Sequence, residues 1–283
     1  MKLVRYGKEG AEKPGILDTE GNIRDLSGTI DDITPDVLSP ESLDQLRAID
    51  PEILPIVSGT PRLGCPVGGI RKIPCIGRNY AEHAAEMGTE LPKEPTLFIK
   101  ATSAISGPYD PLIAPKGHTE LDWEVELACV MGTDALYIAE KDAPNHVAGY
   151  VLMNDVSERV FQRKRGGNTT KGKSCDTFGP IGPWLVTADE VPDPQNLRLW
   201  TEVNGVRYQD GNTKDMIFSM MYIVSYLSQF MTLQAGDVVS TGSPHGSGGG
   251  LKPPVFLKEG DIIELGIDGL GSQRHEVIAW NAA

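Results

Sequence analysis

The sequence predicts a strand-rich α+β fold preceded by a small α+β unit, and three observations predict it. Short apolar or alternating segments recur along the chain, bounded by Gly, Pro, Asn and Asp, while helical periodicity is confined to a few places. Regular β-α-β alternation and internal repeats are absent, which argues against a doubly wound sheet or a TIM barrel. The Gly- and Pro-rich stretch Gly59 to Pro66 reads as a linker, dividing residues 1–66 from a larger unit, 67–283.

In the first unit Leu3-Val4-Arg5-Tyr6 reads as a strand. The segments Gly15–Asp18 and Ile23–Leu26 flank the turn Thr19-Glu20-Gly21-Asn22, a hairpin pattern. Ser39 can cap a short helix that Pro40 opens, with Leu43, Leu46 and Ile49 on its apolar face. After the linker, Ile73 to Gly77 forms a strand leading to a helix that Asn79 can cap and Gly88 can end. His83 and Glu86 are three apart on that helix and so are neighbours. They read either as an ordinary surface pair or as a dyad whose carboxylate orients the imidazole as a general base. Pro95 to Lys100 is another strand, and Gly- and Pro-marked loops carry the chain past His118.

The most informative stretch is Glu120-Leu121-Asp122-Trp123-Glu124-Val125-Glu126-Leu127. Strand side chains alternate, so four apolar residues fall on one face and four carboxylates on the other. Next, Val147 to Met153 is a buried strand ending at Asn154-Asp155. A helix beginning at Asp155 would align Arg159 and Gln162 with it. Gly167 to Ser174 fits the phosphate-loop pattern GxxxxGK[ST], but no buried strand precedes it, and Gly and Pro breaks from Phe178 to Pro183 exclude the long helix that pattern needs. Lys173 is left as a single cation on a loop. Strands at 184–187, 197–203 and 206–208, with the Asn204-Gly205 turn, lead to a core helix from Lys214 to about Leu233. Ser243 to Gly250 is a conformationally permissive loop, able either to bring backbone close to a ligand or to move. Residues 261–267 and 275–280 close the chain as strands.

Composition narrows the functions. The 283 residues carry 39 acids against 26 bases, a net charge of −13, which disfavours nucleic acid as a partner. The four cysteines form no CxxC pair and lie among apolar or small residues, which suits free thiols in a reducing cytoplasm. The N-terminus lacks the apolar run of a secretory signal, and no apolar stretch approaches the roughly 18 residues of a membrane span, so a cytoplasmic protein without membrane association is expected.

The acidic stretch could be a solvated edge strand. Its heavily apolar opposite face, and an Asp155 ending a second apolar strand, favour a cation among the carboxylates. Oxygen donors of this kind suit the hard cations Mg²⁺, Mn²⁺ or Ca²⁺, and no Cys/His set has zinc spacing.

The motifs taken together resemble the fumarylacetoacetate hydrolase family from about residue 72 to 280. They are Gly77-Arg78-Asn79-Tyr80 with His83 and Glu86; Asp122 to Leu127; Asn154-Asp155-Val156-Ser157 with Arg159 and Gln162; Lys171 to Pro180; and Gly236-Asp237-Val238-Val239 with Thr241-Gly242. The chain looks most similar to members acting on 2,4-diketo-3-deoxy sugar acids and to members named ureidoglycolate lyases. The resemblance implies a mixed β-sandwich roll, usually dimeric, with Glu124, Glu126 and Asp155 holding Mg²⁺ or Mn²⁺. It implies His83 and Glu86 as the water-activating dyad and Lys173 as an electrostatic stabiliser beside the substrate. Arg159, Gln162 and Thr241 would contact a small anionic 2-oxo acid. The implied reaction is metal-dependent hydrolysis of a C–C bond in a 2,4-diketo acid, giving pyruvate and a carboxylic acid. Oxaloacetate decarboxylation, ureidoglycolate cleavage and metal binding without catalysis are the alternatives.

Overall fold

Two mixed sheets, packed across a shared apolar core, organise the chain in a computed structural model. It describes residues 1–86 and 90–282, without the side chains of residues 83–85. The larger sheet has nine strands in the order Ile23–Asp25, Lys13–Leu17, Lys2–Tyr6, Leu185–Thr187, Val147–Asn154, Val125–Met131, Val238–Ser240, Ile73–Gly77 and Thr96–Lys100. Neighbours are antiparallel except Val238–Ser240 against Ile73–Gly77. The smaller sheet has five strands, Val206–Asn212, Arg198–Val203, Ile262–Ile267, Gly271–Ala279 and Leu112–Ala114, and neither sheet closes on itself. The fold is therefore strand-rich α+β, as the turn-bounded apolar segments predict.

Strand alternation sorts the central strand into two cores. Leu127, Cys129 and Met131 join the cluster shared with Leu199, Ile263 and Val277 of the smaller sheet. Ala128 and Val130 join a second cluster with Leu3, Ile16 and Leu38. Residues 1–66 build much of that second layer. Their three strands extend the nine-stranded sheet through the Lys2–Val186 pairing, and Leu43 and Leu46 of the helix Pro40–Arg47 face inward. Ser39 caps this helix by accepting from the Ser42 amide (3.2 Å), and Pro40 occupies the first turn.

Three local expectations are corrected. The acidic stretch is two strands, Leu121–Asp122 and Val125–Met131, interrupted at Trp123-Glu124. The helix expected from Asp155 begins instead at Arg159, because Glu158 caps it by accepting from the Phe161 amide (2.6 Å). The helix expected from Lys214 to Leu233 spans only Met220–Ser228. There Asn212 caps a separate 3₁₀ turn, Thr213–Asp215, and Ser219 caps the helix proper, so side chains that compete for backbone amides divide the apolar run. Cys65, Cys75 and Cys129 are buried free thiols, and Cys175 is free and half-buried. No described helix is long and apolar enough to cross a membrane.

Candidate metal centre and catalytic cleft

The ladder between Val147–Asn154 and Val125–Met131 assembles the floor of the site. Met153 pairs with Glu126, Asn154 pairs with Val125, and the Asp155 amide continues the ladder by donating to the Glu124 carbonyl (2.9 Å). Residues distant in sequence thereby bring Glu124, Glu126 and Asp155 together. All three are buried, and one carboxylate oxygen from each lies within 4.8 Å of the others. Burial, then the charges of Asp155 and Glu124, push the Glu126 carboxyl well above the usual carboxylate range. Ser240 Oγ (2.5 Å) and the Gly242 amide (3.1 Å) both donate to Glu126 Oε2. A compact set of hard oxygen donors fits a divalent cation of the Mg²⁺ or Mn²⁺ type.

Two lysines approach this floor. Lys173 Nζ lies 2.5 Å from Glu124 Oε2 and 2.5 Å from Asp155 Oδ2. Burial acts to lower its pKa, but Asp155 and Glu124 outweigh burial and keep the ammonium charged above its ordinary range. Lys173 is not on a loop, as expected, but ends a short helix, Thr169–Lys173, that Asn168 caps. Gly172 makes this possible. A Cβ there would stand 2.5 Å from Gln162 Cβ and 2.6 Å from the Glu158 carbonyl oxygen, so only glycine lets the two short helices touch.

The second lysine, Lys100, is fully buried beneath Asp155 and was not anticipated. Its Nζ donates to the carbonyls of Val156 (3.3 Å), Phe178 (2.8 Å) and Lys173. Asp155 Oδ1 lies 2.8 Å away, but the three carbonyls take the ammonium's three donors, so this contact is an ion pair without an aligned hydrogen bond. The only hint in the sequence is a lysine closing the apolar run Thr96–Ile99.

Arg159 links the floor to the glycine-rich loop. Its guanidinium contacts Asp122 Oδ2 (2.7 Å), Glu124 Oε1 (2.6 Å) and Gln162 Oε1 (3.1 Å). Asp122 also accepts from the amides of Trp123, Gly248 (2.6 Å) and Gly249 (2.9 Å). Glu86, from the helix Ala81–Glu86, accepts from the Gly246 amide (3.0 Å to Oε2). The loop expected to be permissive is thus largely buried, with its amides spent on Asp122 and Glu86. A Cβ on Gly250 would stand 2.5 Å from the Glu86 carboxyl carbon.

A cleft of about 560 Å³ opens over the floor, lined by Glu124, Glu126, Arg159, Gln162 and Lys173 among others. Thr241 does not line it. Its hydroxyl donates to the Leu127 carbonyl (2.7 Å), and the neighbouring Gly242 and Ser243 face the cleft instead. The His83 side chain, the other half of the expected dyad, lies outside the described residues.

Comparison with known proteins agrees with this geometry. The family model for the fumarylacetoacetate (FAA) hydrolase C-terminal domain matches residues 72–278. A protein from Burkholderia ambifaria strain MC40-6, provisionally named a hydrolase with no substrate stated, is 58% identical over 274 residues, covering 96% of this chain and 97% of its own. The fumarylacetoacetate hydrolase of psychrophilic Exiguobacterium antarcticum superposes with a TM-score of 0.87 at 36% identity, over 99% of both chains. Maleylpyruvate hydrolase from Sphingobium sp. SYK-6, solved with manganese(II) and pyruvate, gives 0.82 at 28% identity, also over 99% of both. With a family model matching residues 72–278 and relatives alike across most of its length, the chain belongs to the fumarylacetoacetate hydrolase family.

Proposed function

We propose that this protein is a divalent-metal-dependent hydrolase that cleaves a C–C bond in a 2,4-diketo acid of the acylpyruvate type, releasing pyruvate and a carboxylic acid. The observation that carries the proposal is the meeting of Glu124, Glu126 and Asp155 within 4.8 Å, beside buried Lys173, under an open cleft. Mg²⁺ or Mn²⁺ held by these carboxylates would supply Lewis-acid polarisation of the 2-oxo acid end. The manganese and pyruvate in the maleylpyruvate hydrolase structure support that choice.

The chain's own groups then divide the work. Arg159, fixed by Asp122, and Gln162 orient the substrate carboxylate. His83, turned by Glu86, takes the proton from water as the water oxygen bonds to the distal carbonyl carbon. The C–C bond breaks, its electron pair passes to the departing three-carbon fragment, and that carbon takes a proton to give pyruvate. Lys173 stabilises the negative charge developing there. The protein is proposed to act as a cytoplasmic homodimer.

Pyruvate release from a series of acylpyruvates, with Mg²⁺ or Mn²⁺ and with oxaloacetate and ureidoglycolate in parallel, tests the activity. Turnover confined to oxaloacetate would move the assignment to decarboxylation. The double variant Glu124→Ala, Glu126→Ala should lose Mn²⁺ binding in an equilibrium titration, and unchanged affinity would overturn the metal assignment. His83→Ala should lose hydrolysis while keeping most of the metal affinity, and full turnover would remove His83 from the mechanism.

A further inference from the structure

One buried amide joins the floor of the cleft to the glycine-rich loop. Val206–Asn212 is an edge strand of the smaller sheet, and Gln209 is its buried residue. Gln209 Oε1 accepts from the amide of Val125 (3.0 Å), the residue between Glu124 and Glu126, and from Thr201 Oγ1 (2.9 Å). Gln209 Nε2 donates to Ser243 Oγ (2.8 Å) and to the Pro244 carbonyl (2.9 Å). Ser243 Oγ in turn donates to the Val125 carbonyl (2.9 Å). A carboxamide can accept two hydrogen bonds and donate two. Here all four are made, three of them to groups outside its own hairpin.

The hairpin is shaped to deliver this side chain. Thr201 pairs with Gln209 but Glu202 pairs with Arg207, so Tyr208 is an extra residue in the ladder. A bulge of this kind bends its strand and re-aims the side chains beside it. Tyr208 packs on Trp123, with ring centroids 5.1 Å apart, and Trp123 Nε1 donates to the Gly246 carbonyl (3.2 Å). Gly246 has φ +93°, and a Cβ there would stand 2.0 Å from the Tyr208 carbonyl oxygen, so the loop is seated on the bulge. The floor needs such a support. The strand Val238–Ser240 pairs the central strand from Val130 to Ala128 and stops there, short of Val125. Buried backbone groups are costly to leave bare, and Gln209 and Ser243 take the amide and the carbonyl of Val125.

We propose that Gln209 is a positioning residue for the floor of the cleft. Its amide fixes the backbone that presents Glu124 and Glu126 and ties that backbone to Ser243, which lines the cleft. An apolar side chain of similar size would fill the space but leave the Val125 amide and the Pro244 carbonyl bare, so floor and loop would loosen together. The metal readout below rests on the metal assignment made above.

The test compares Gln209→Met with Gln273→Met. Gln273 is also a buried glutamine, but its Nε2 donates to the carbonyls of Leu152 (3.1 Å), Pro180 (3.3 Å) and Gly182 (3.0 Å) rather than to the floor. Both variants should lower Tm, because both leave buried polar groups bare. Gln209→Met alone should also weaken Mn²⁺ binding, by about tenfold in an equilibrium titration well below either Tm. Unchanged Mn²⁺ affinity in Gln209→Met, or an equal loss in Gln273→Met, overturns the proposal. Should Gln209→Met fail to fold, Ser243→Ala carries the same test, since it removes the hydroxyl that joins Gln209 Nε2 to the Val125 carbonyl. It should raise the Mn²⁺ Kd by about threefold, and an unchanged Kd overturns the proposal. Should the native protein bind no Mn²⁺, the metal assignment falls, and hydrogen exchange of the metal-free protein decides the role of Gln209. Peptides covering residues 123–127 and 243–250 should then both exchange about fivefold faster in the variant that folds than in Gln273→Met. Exchange no faster than in Gln273→Met, or faster in one segment alone, overturns the proposal.

Discussion

Replacing Lys100 by methionine isolates the cation beneath the metal-ready floor. Methionine fills much of the aliphatic volume, so the cavity cost is small and the loss is electrostatic. Asp155 would keep Lys173 but lose the charge 2.8 Å from Oδ1, and the carbonyls of Val156, Lys173 and Phe178 would lose their donor. Breaking one partner of a buried ion pair costs ~3–5 kcal/mol, and carbonyls left bare add to that. Relief from the remaining lysine keeps the total near 4 kcal/mol, in the range for a broken buried pair. For a chain of this size that lowers Tm by roughly 10 °C. Thermal unfolding in EDTA and in saturating Mn²⁺ is the assay. The EDTA value should fall by that amount, and Mn²⁺ should raise Tm more in Lys100→Met than in the native protein, because a cation at the three carboxylates restores a counter-charge to Asp155. An EDTA Tm within about 2 °C of the native value would refute the reasoning, since a cost near 4 kcal/mol could not be hidden.

Asp122→Asn removes the charge that fixes Arg159 Nε and two loop amides, and its new NH₂ group faces donors. KM for the proposed acylpyruvate substrate should rise by about tenfold, and steady-state kinetics showing an unchanged KM would refute the positioning role. Gly250→Ala forces Glu86 off the Gly246 amide but meets only a flexible side chain. It should lower kcat by roughly tenfold while leaving Tm nearly constant, and an undiminished kcat would show that the loop does not hold Glu86 for catalysis. Burial, partly offset by donation from Nδ1 to the Asp110 carbonyl (2.7 Å), lowers the His275 pKa from 6.5 to about 4. The unfolded chain therefore takes up this proton first on acidification, so the contribution is complete above pH 6.5 and is lost as pH falls through that window towards 4. It amounts to about 3 kcal/mol, measurable as the difference in urea unfolding between pH 7.5 and 4 that His275→Gln removes. Stability rising on acidification would mean instead that the ring is held as a cation between Asp110 O and Gln273 Oε1, 3.1 Å from Nε2.

What could be read from the sequence was what local chemistry decides. The Ser39-Pro40 helix start and the hairpin around Gly21 need only neighbouring residues, and each stands where it was expected. The segment from Lys214 to Leu233 fails for the same reason. Its apolar spacing is helical, but Asn212 and Ser219 offer the backbone local alternatives that a hydrophobic pattern does not weigh. The floor of the cleft is a different problem. Periodicity places Glu124 and Glu126 near one another, but only strand pairing adds Asp155. Asp122 shares their parity and looks like a fourth member of the set, yet the break at Trp123-Glu124 turns it towards Arg159 and the glycine loop. Lys100 was illegible because a lysine at a strand end is ordinarily solvated, and nothing local shows that three distant carbonyls converge on it.

The GxxxxGK[ST] match shows how one pattern can serve two opposite electrostatic ends. In a phosphate loop the glycines expose amides and the lysine must be free to meet an anion. Here Gly172 is needed for contact between two short helices, and that contact carries Lys173 to Glu124 and Asp155. An ammonium held 2.5 Å from each of two buried carboxylates is not available to a nucleotide, and the Glu124 and Glu126 carboxylates lining the cleft beside it would repel a polyphosphate. The same acidic floor that disfavours a nucleotide suits a divalent cation, and a cation held there would turn the balance of charge towards the 2-oxo carboxylate proposed as substrate. The sign of the field at Lys173, set by residues 18 and 49 positions away, therefore decides what this letter-for-letter motif can bind.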